Sequence, residues 1–239
     1  MEFFVASKHG LTAAHVEKLE RCDSYFFRKI FNAPKTTPIE SFYLETSALP
    51  IRFVIIGRRL LFYWNILNKP ETELIKQVYR IQKLRPVRND WCSTIAEDLK
   101  NVEIDLTETE IASMKKSTFK SLVNQKIKEC AARYLLDLRQ KHSKSKERRY
   151  SNSMQKYLVS NSLSTQEKQL LFSFRSHTYQ CKANYSYMYG TNLQCNHCAE
   201  IDNQQHLLNC KLAEGINLNG SKLLLLFITY TCKRYKVQL

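Results

Sequence analysis

Glycine and proline are scarce in this sequence. Its 239 residues include five glycines and five prolines, about 4% of the chain against roughly 12% in an average protein. Neither residue occurs between Pro86 and Gly190, a run of 103 residues. A β-sandwich, a barrel or a glycine-rich nucleotide-binding α/β fold needs more turn-forming residues than this. We therefore predict a mainly α fold, arranged as a multi-helix array.

Patterns typical of enzymes and membrane proteins are also missing. The sequence has no Asp-Asp pair for two-metal polymerase or nuclease chemistry, and no Gly-x-Ser-x-Gly, phosphate-loop or His-Glu-x-x-His motif. Its longest apolar run, Leu223 to Ile228, is far shorter than the ~20 residues of a spanning helix. The amino end does not resemble a signal peptide. We expect a soluble intracellular protein with no membrane partner, no evident small-molecule substrate and no enzymatic activity of its own.

Positive charge is abundant and unevenly distributed. The chain has 37 Lys and Arg against 22 Asp and Glu, a formal charge of +15. Residues 1–110 are nearly neutral, at +1, whereas residues 111–190 have 16 basic and four acidic groups, a charge of +12. Because phosphate contacts by Lys and Arg supply most non-specific affinity for nucleic acid, this segment predicts RNA or DNA as the partner, bound largely through the phosphate backbone. The alternative is an ordinary solvated helix surface.

Capping signals mark where helices begin. The spacing of a capping box occurs at Thr37/Glu40, with a proline between them, and again at Thr107/Glu110 and Ser164/Glu167. Together with the apolar periodicity, these signals predict helices at 11–32, 38–48, 51–68, 71–84, 90–100, 108–114, 117–141, 151–160 and 165–180.

Segment 51–68 is apolar almost all round, which predicts a central helix. Three arginines interrupt this apolar pattern, Arg52, Arg58 and Arg59. They could contact nucleic acid, or they could form structural ion pairs with Glu40 or Glu45.

Helix 117–141 has the clearest amphipathic pattern. Its apolar stripe includes Cys130, which we interpret as a small buried hydrophobe. Basic residues flank or oppose the stripe, and the basic segment 141–149 that follows resembles a nuclear-localisation signal, so we expect a nuclear protein. Further along, Phe172 and Phe174 are predicted to pack in the core. The predicted nucleic-acid contacts are Lys126, Lys128, Arg133, Arg139, Lys144, Lys146, Arg148, Arg149, Arg175 and Lys182.

Four soft metal ligands lie within sixteen residues near the carboxyl end. Cys195, Cys198, His206 and Cys210 have the spacing C-x2-C-x7-H-x3-C. Three thiolates and one imidazole complete a tetrahedral shell and leave no position for water, so the pattern predicts a structural Zn²⁺ site in a CCHC zinc knuckle. Two alternatives stay open. His197 could replace His206, although chelation from inside the two-residue loop would strain it, or the cysteines could cluster by chance.

These features divide the chain into five segments. They are an N-terminal helical segment (1–36), a neutral helical region (37–110), a basic helical region (111–190), the zinc knuckle (191–212) and a divergent tail (213–239).

Several segments, in this order, follow a known pattern: Lys18 to Thr46, Pro50-Ile-Arg-Phe, Arg58-Arg-Leu-Leu-Phe, Pro86-Val-Arg-Asn-Asp-Trp and the knuckle Cys195 to Cys210. They resemble the part of non-LTR (LINE-type) retrotransposon reverse-transcriptase polyproteins that follows the polymerase palm. The resemblance implies a helical thumb-and-linker region and a zinc knuckle that helps to bind template RNA and target DNA. The family's aromatic-Ala-Asp-Asp motif and a recognisable endonuclease are missing from this sequence. We therefore expect a fragment that binds nucleic acid without catalysing polymerisation or cleavage.

Overall fold

A computed structural model of the protein describes residues 13–85, 87, 90–141, 154–179, 181–196, 198–203 and 206. The prediction of a mainly α fold is confirmed for these residues, in which the only β pairing is an isolated antiparallel bridge between Gln194 and Ile201. The helices are α1 (Ala13–Phe31), α2 (Ile39–Thr46), α3 (Ile51–Leu67), α4 (Leu74–Leu84), α5 (Trp91–Asn101), α6 (Glu108–Ser113), α7 (Lys116–Lys141), α8 (Lys156–Val159), α9 (Thr165–Arg175) and α10 (Ser186–Tyr189), with a 3-10 helix at Lys182–Tyr185.

Two of the three predicted capping boxes form. Thr107 and Ser164 each accept a hydrogen bond from the backbone N–H three residues on, and the glutamate at that position returns a bond to the cap residue's backbone N–H. The prediction at Thr37 is wrong, because its buried hydroxyl oxygen has no hydrogen-bond partner among the described residues. Helix α9 ends at Arg175, earlier than predicted, since His177 adopts a left-handed φ of 51° that a continuing helix cannot accommodate.

The described chain separates into two compact units. Unit 1 comprises the described residues within Met1–Phe26 and Ser47–Lys141, and unit 2 comprises the described residues within Phe27–Thr46 and His142–Leu239. In unit 1, α3 packs against α4, α5, α6 and α7, which confirms its predicted central position. The core of unit 1 is built around buried residues of these helices, including Leu60, Ile111, Phe119 and Val123.

Helices α3 and α7 approach closely at Gly57. A Cβ atom at this position would lie 2.7 Å from Ile127 Cδ1, a distance that real Cβ atoms essentially never show. Glycine lowers the helix propensity of α3 by about 1 kcal/mol relative to alanine, but its lack of a Cβ atom leaves room for the side chain of Ile127.

Two arginines of α3 form ion pairs inside unit 1. Arg59 donates two hydrogen bonds of 2.6 Å to the Asp98 carboxylate of α5, and the two side chains are 13% and 4% exposed. Arg52 pairs with Glu20 of α1, while Arg58 is exposed. The structural alternative is thus correct for Arg52 and Arg59, although the partners are neither Glu40 nor Glu45.

A buried hydroxyl network joins three helices of unit 1. Tyr79 of α4 donates a 2.5 Å hydrogen bond to Glu108 of α6, and its hydroxyl lies 3.5 Å from that of Tyr63 in α3. Burial raises the pKa of Tyr63 to about 12, and burial also raises the pKa of Tyr79. Both phenols therefore stay protonated and can act as hydrogen-bond donors.

Unit 2 is built on an aromatic stack. Phe31, at the end of α1, lies 4.2 Å from Phe172 of α9 between ring centroids, and Phe172 lies 5.0 Å from Phe42 of α2. Phe42 and Phe172 are fully buried, which confirms the core prediction for Phe172. Phe174 is half-buried and stacks on Tyr179 at 4.2 Å.

Candidate metal centre and basic residues

The segment around Cys195 folds back on itself as a tight loop. Gln194 pairs with Ile201, and the backbone N–H of Cys195 donates a 2.6 Å hydrogen bond to the carbonyl oxygen of Glu200. The N–H of Ala199 donates to the carbonyl oxygen of Cys195 at 3.2 Å, and Ala199 has a left-handed φ of 60°. This turn brings Cys195 and Cys198 to the same side of the loop.

Three of the four predicted ligands converge. The Sγ atoms of Cys195 and Cys198 and a ring nitrogen of His206 all lie within 4.8 Å of one another, and Cys198 Sγ is 3.3 Å from His206 Nε2. Donors bound to one tetrahedral Zn²⁺ lie about 3.3–3.8 Å apart. Small side-chain adjustments would therefore bring these three donors to the distances that one Zn²⁺ ion requires. These three residues could hold a metal ion. Cys210 and the alternative ligand His197 lie outside the described residues, and both thus stay predictions.

Two residues that the sequence analysis did not assign orient His206. Glu200 Oε2 accepts from His206 Nδ1 at 2.9 Å, and Asn203 Oδ1 accepts from the His206 backbone N–H at 2.8 Å. A carboxylate on Nδ1 leaves Nε2 as the ligand atom, an arrangement common at zinc sites. The hydrogen bond with Cys195, followed by that with Glu200, raises the pKa of His206. An acidic residue between the ligand pairs is the sequence signal that could have indicated Glu200.

Lys182 connects the 3-10 helix to this loop. Its ammonium group donates to the carbonyl oxygen of Gln194 at 2.6 Å and to Asn196 Oδ1 at 2.7 Å. Asp202 completes the connection by accepting from the backbone N–H of Lys182 at 3.1 Å. Lys182 therefore has a structural role beside the candidate metal site, and its predicted phosphate contact stays a prediction.

Arg175 is held within unit 2. Its Nε donates to Glu45 Oε2 at 2.7 Å and its Nη2 to Gln155 Oε1 at 3.1 Å. The side chains of Arg175 and Glu45 are 14% and 2% exposed. The phosphate contact predicted for Arg175 would require this buried ion pair to open.

The predicted contacts on α7 differ in their availability. Arg133 pairs with Glu103 at 2.6 Å, which lowers the pKa of Glu103, and Lys126 lies 3.6 Å from Glu129. Arg139 is half-buried. Lys128 is exposed and makes no ion pair or side-chain hydrogen bond within the described part of the chain.

A further lysine of α7, which the sequence analysis did not assign, resembles Lys128. Lys120 is exposed and likewise without an ion pair among the described residues. The two lysines are eight positions apart in the sequence, so they lie on adjoining parts of one helix face, about 12 Å apart along the axis. The remaining predicted contacts, Lys144, Lys146, Arg148 and Arg149, lie outside the described residues.

No helix within the described ranges combines the length and the hydropathy that crossing a bilayer requires. In comparisons with known proteins, no protein-family model, no curated protein and no solved structure matches this chain.

Proposed function

We propose that this chain binds the phosphate backbone of RNA or DNA through the solvent face of α7 and that a structural zinc ion closes its C-terminal knuckle. The observation that carries the first part is that α7 has exposed lysines without an ion pair among the described residues, of which Lys120 and Lys128 lie near one another on its surface. From Lys115 to Lys141 the sequence has eight basic residues against two acidic ones. A helix face of this kind attracts a polyanion, and Lys side chains bind phosphates without reading base sequence.

The zinc assignment rests on the donor set. Two thiolates and an imidazole are soft or intermediate ligands, which favour Zn²⁺ over Mg²⁺ or Ca²⁺. Cys210 is proposed as the fourth ligand from its spacing. Zinc bound in this way would fix the loop and leave no coordination position for a substrate, so its role is structural.

The resemblance described above leads us to propose that the chain is a piece of a non-LTR retrotransposon reverse-transcriptase protein. In such a protein the helical region and the knuckle would bind nucleic acid, and carboxylates outside this chain would catalyse polymerisation. We accordingly expect no primer extension by the 239-residue chain.

Salt-dependent binding tests the nucleic-acid proposal. The affinity of the full chain for a fluorescent single-stranded RNA and for duplex DNA should fall steeply as salt rises, because phosphate contacts release counterions. Replacing Lys120 and Lys128 with glutamine should reduce the slope of log affinity against log salt for duplex DNA by about 2. The matched control replaces Lys35 and Lys100, two exposed lysines outside α7, and should leave most of that slope intact. Failure to bind either probe at low salt would refute the proposal.

Metal analysis tests the zinc proposal separately. Protein purified without added chelator should contain one zinc per chain. Cys195→Ser should lose the metal, whereas Cys130→Ser, which changes a buried thiol in α7, should retain it. Equal zinc contents in the two variants would contradict the assignment.

The internal pairing of several predicted contacts favours a second candidate. Arg133, Arg175 and Lys182 all donate to protein acceptors, as expected of a helical interaction or scaffold protein whose charge serves solubility. Such a protein would tolerate the Lys120 and Lys128 replacements without losing any partner.

A further inference from the structure

Helix α4 exposes a row of large apolar side chains. They recur at three- and four-residue spacing, which keeps them on one face of the helix. Another face of α4 packs into the core of unit 1 through Ile75 and Tyr79, so the exposed row is not needed to close that core. The row consists of Leu74, Val78, Ile81, Leu84 and, just after the helix, Val87, which are 75, 43, 60, 81 and 65% exposed.

The row is large enough to be an interaction surface. It extends over the eleven residues of α4, a rise of about 15 Å from the first residue to the last. Five side chains with these exposures form an apolar patch on the order of 500 Å², which is near the upper end for a monomeric protein, where such patches are often functional. Burying the row would therefore remove an unusual amount of apolar surface from water.

The four members of the row within α4 are also nearly symmetric about the centre of the helix, whereas Val87 lies outside this symmetry. Leu74 and Leu84 lie equally far from position 79, and Val78 and Ile81 lie almost equally far from it. A second copy of α4 that runs antiparallel would therefore place leucine against leucine at each end and valine against isoleucine in the middle. Such self-complementarity is what a two-fold axis requires of an interface between identical chains.

The two ends of α4 have opposite charges, which also favours an antiparallel second copy. Glu71 and Glu73 precede α4, whereas Arg85 follows its last residue. Glu71 and Glu73 form exposed ion pairs with Arg80 and Lys69, and such surface pairs are weak enough to be shared or exchanged. An antiparallel second copy would bring the acidic end of each helix beside the basic end of the other.

We propose that this face of α4 is the interface of a homodimer in which two copies of the helix pack antiparallel across a two-fold axis. Two such patches would bury about 1,000 Å², at the low end for a specific interface. The dimer should thus be reversible and concentration-dependent. The proposal does not depend on nucleic-acid binding, and it goes beyond the function proposed above.

Sedimentation velocity on the nuclease-treated full chain tests this proposal. The chain should shift from monomer to dimer between low and high micromolar concentration. Ile81→Glu should weaken the dimer at least about tenfold, because it buries a charge at the centre of the patch. The matched control is Ile30→Glu, since Ile30 of α1 is 61% exposed and lies outside the row. It should leave the dissociation constant unchanged, and circular dichroism should show both variants folded.

Exchange of the end charges gives an independent test. Arg85→Glu should weaken the dimer by placing like charges together, and adding Glu73→Arg should restore part of the loss. A chain that stays monomeric at high micromolar concentration, or a dimer that Ile30→Glu disrupts as strongly as Ile81→Glu, would overturn the proposal.

Discussion

Two ion pairs of unit 1 have the same length and very different burial, and this difference should dominate their effect on stability. Arg59 and Asp98 pair at 2.6 Å with 13% and 4% of their side chains exposed. Arg133 and Glu103 also pair at 2.6 Å, but with 55% and 53% exposed. Burial raises the pKa of Asp98, and the Arg59 hydrogen bonds oppose the shift. Desolvation of the carboxylate therefore costs more free energy than the ion pair recovers.

Asp98→Asn should therefore destabilise unit 1 by about 3–5 kcal/mol, because it leaves the guanidinium group of Arg59 buried without a counter-charge. Glu103→Gln should have little effect on stability, because water solvates the arginine that remains. A protein of this size has a total stability of roughly 5–15 kcal/mol. The first change should thus remove a large share of that stability and the second very little.

Urea unfolding followed by tryptophan fluorescence measures this difference. Both tryptophans, Trp64 and Trp91, lie in unit 1, so the signal reports on the unit that contains the pairs. With a urea dependence of about 2 kcal/mol per molar, the midpoint for Asp98→Asn should fall by roughly 1.5–2.5 M. The combined replacement Arg59→Met and Asp98→Leu should recover most of that loss. Urea midpoints of the two single variants that agree within error would refute the predicted effect of burial.

Three further sets of measurements test the buried tyrosine, the close helix packing and the helix caps. Burial raises the pKa of Tyr63 from 10.0 to about 12, so its contribution to stability should be complete below pH 10 and lost as the pH rises towards 12. Urea midpoints measured across that range check this. Gly57→Val should destabilise unit 1 by about 1–3 kcal/mol through overpacking against Ile127, and Ile127→Ala in the same chain should partly relieve the loss; a Gly57→Val midpoint equal to that of the unchanged chain would contradict the close approach. Thr107→Ala and Ser164→Ala should each cost about 1 kcal/mol, measurable by tryptophan fluorescence for the first and by circular dichroism for the second.

The sequence predicted those parts of the fold that local chemistry determines. The boxes at Thr107 and Ser164 marked two helix starts because a capping residue and its partner are only three positions apart. Segment 51–68 was identified as the central helix because it is apolar on nearly all sides. A helix that is buried on all sides has such a pattern, which can be read from neighbouring positions alone. The early end of α9 was missed because the left-handed residue is His177, which has no strong preference for that conformation as glycine would.

Contacts between distant residues explain most of what the sequence did not predict about the site. Arg175 looked like a phosphate contact because its partner, Glu45, is 130 positions away. Cys195, Cys198 and His206 were found because ligand spacing is a local property of the chain. Glu200 was not, because its link to His206 depends on how the loop turns.

The aromatic stack of unit 2 has a consequence for the order in which this chain can fold during synthesis. Phe31 and Phe42 emerge from the ribosome early, but Phe172, which stacks on both, emerges 130 residues after Phe42. At typical translation rates, Phe31 and Phe42 lack their contact with Phe172 for roughly 7–26 s after they are synthesised. During that interval they are available to chaperones. A product truncated at Lys141 would leave both rings without their contact with Phe172, so α2 could not complete its core in any fragment that stops before α9.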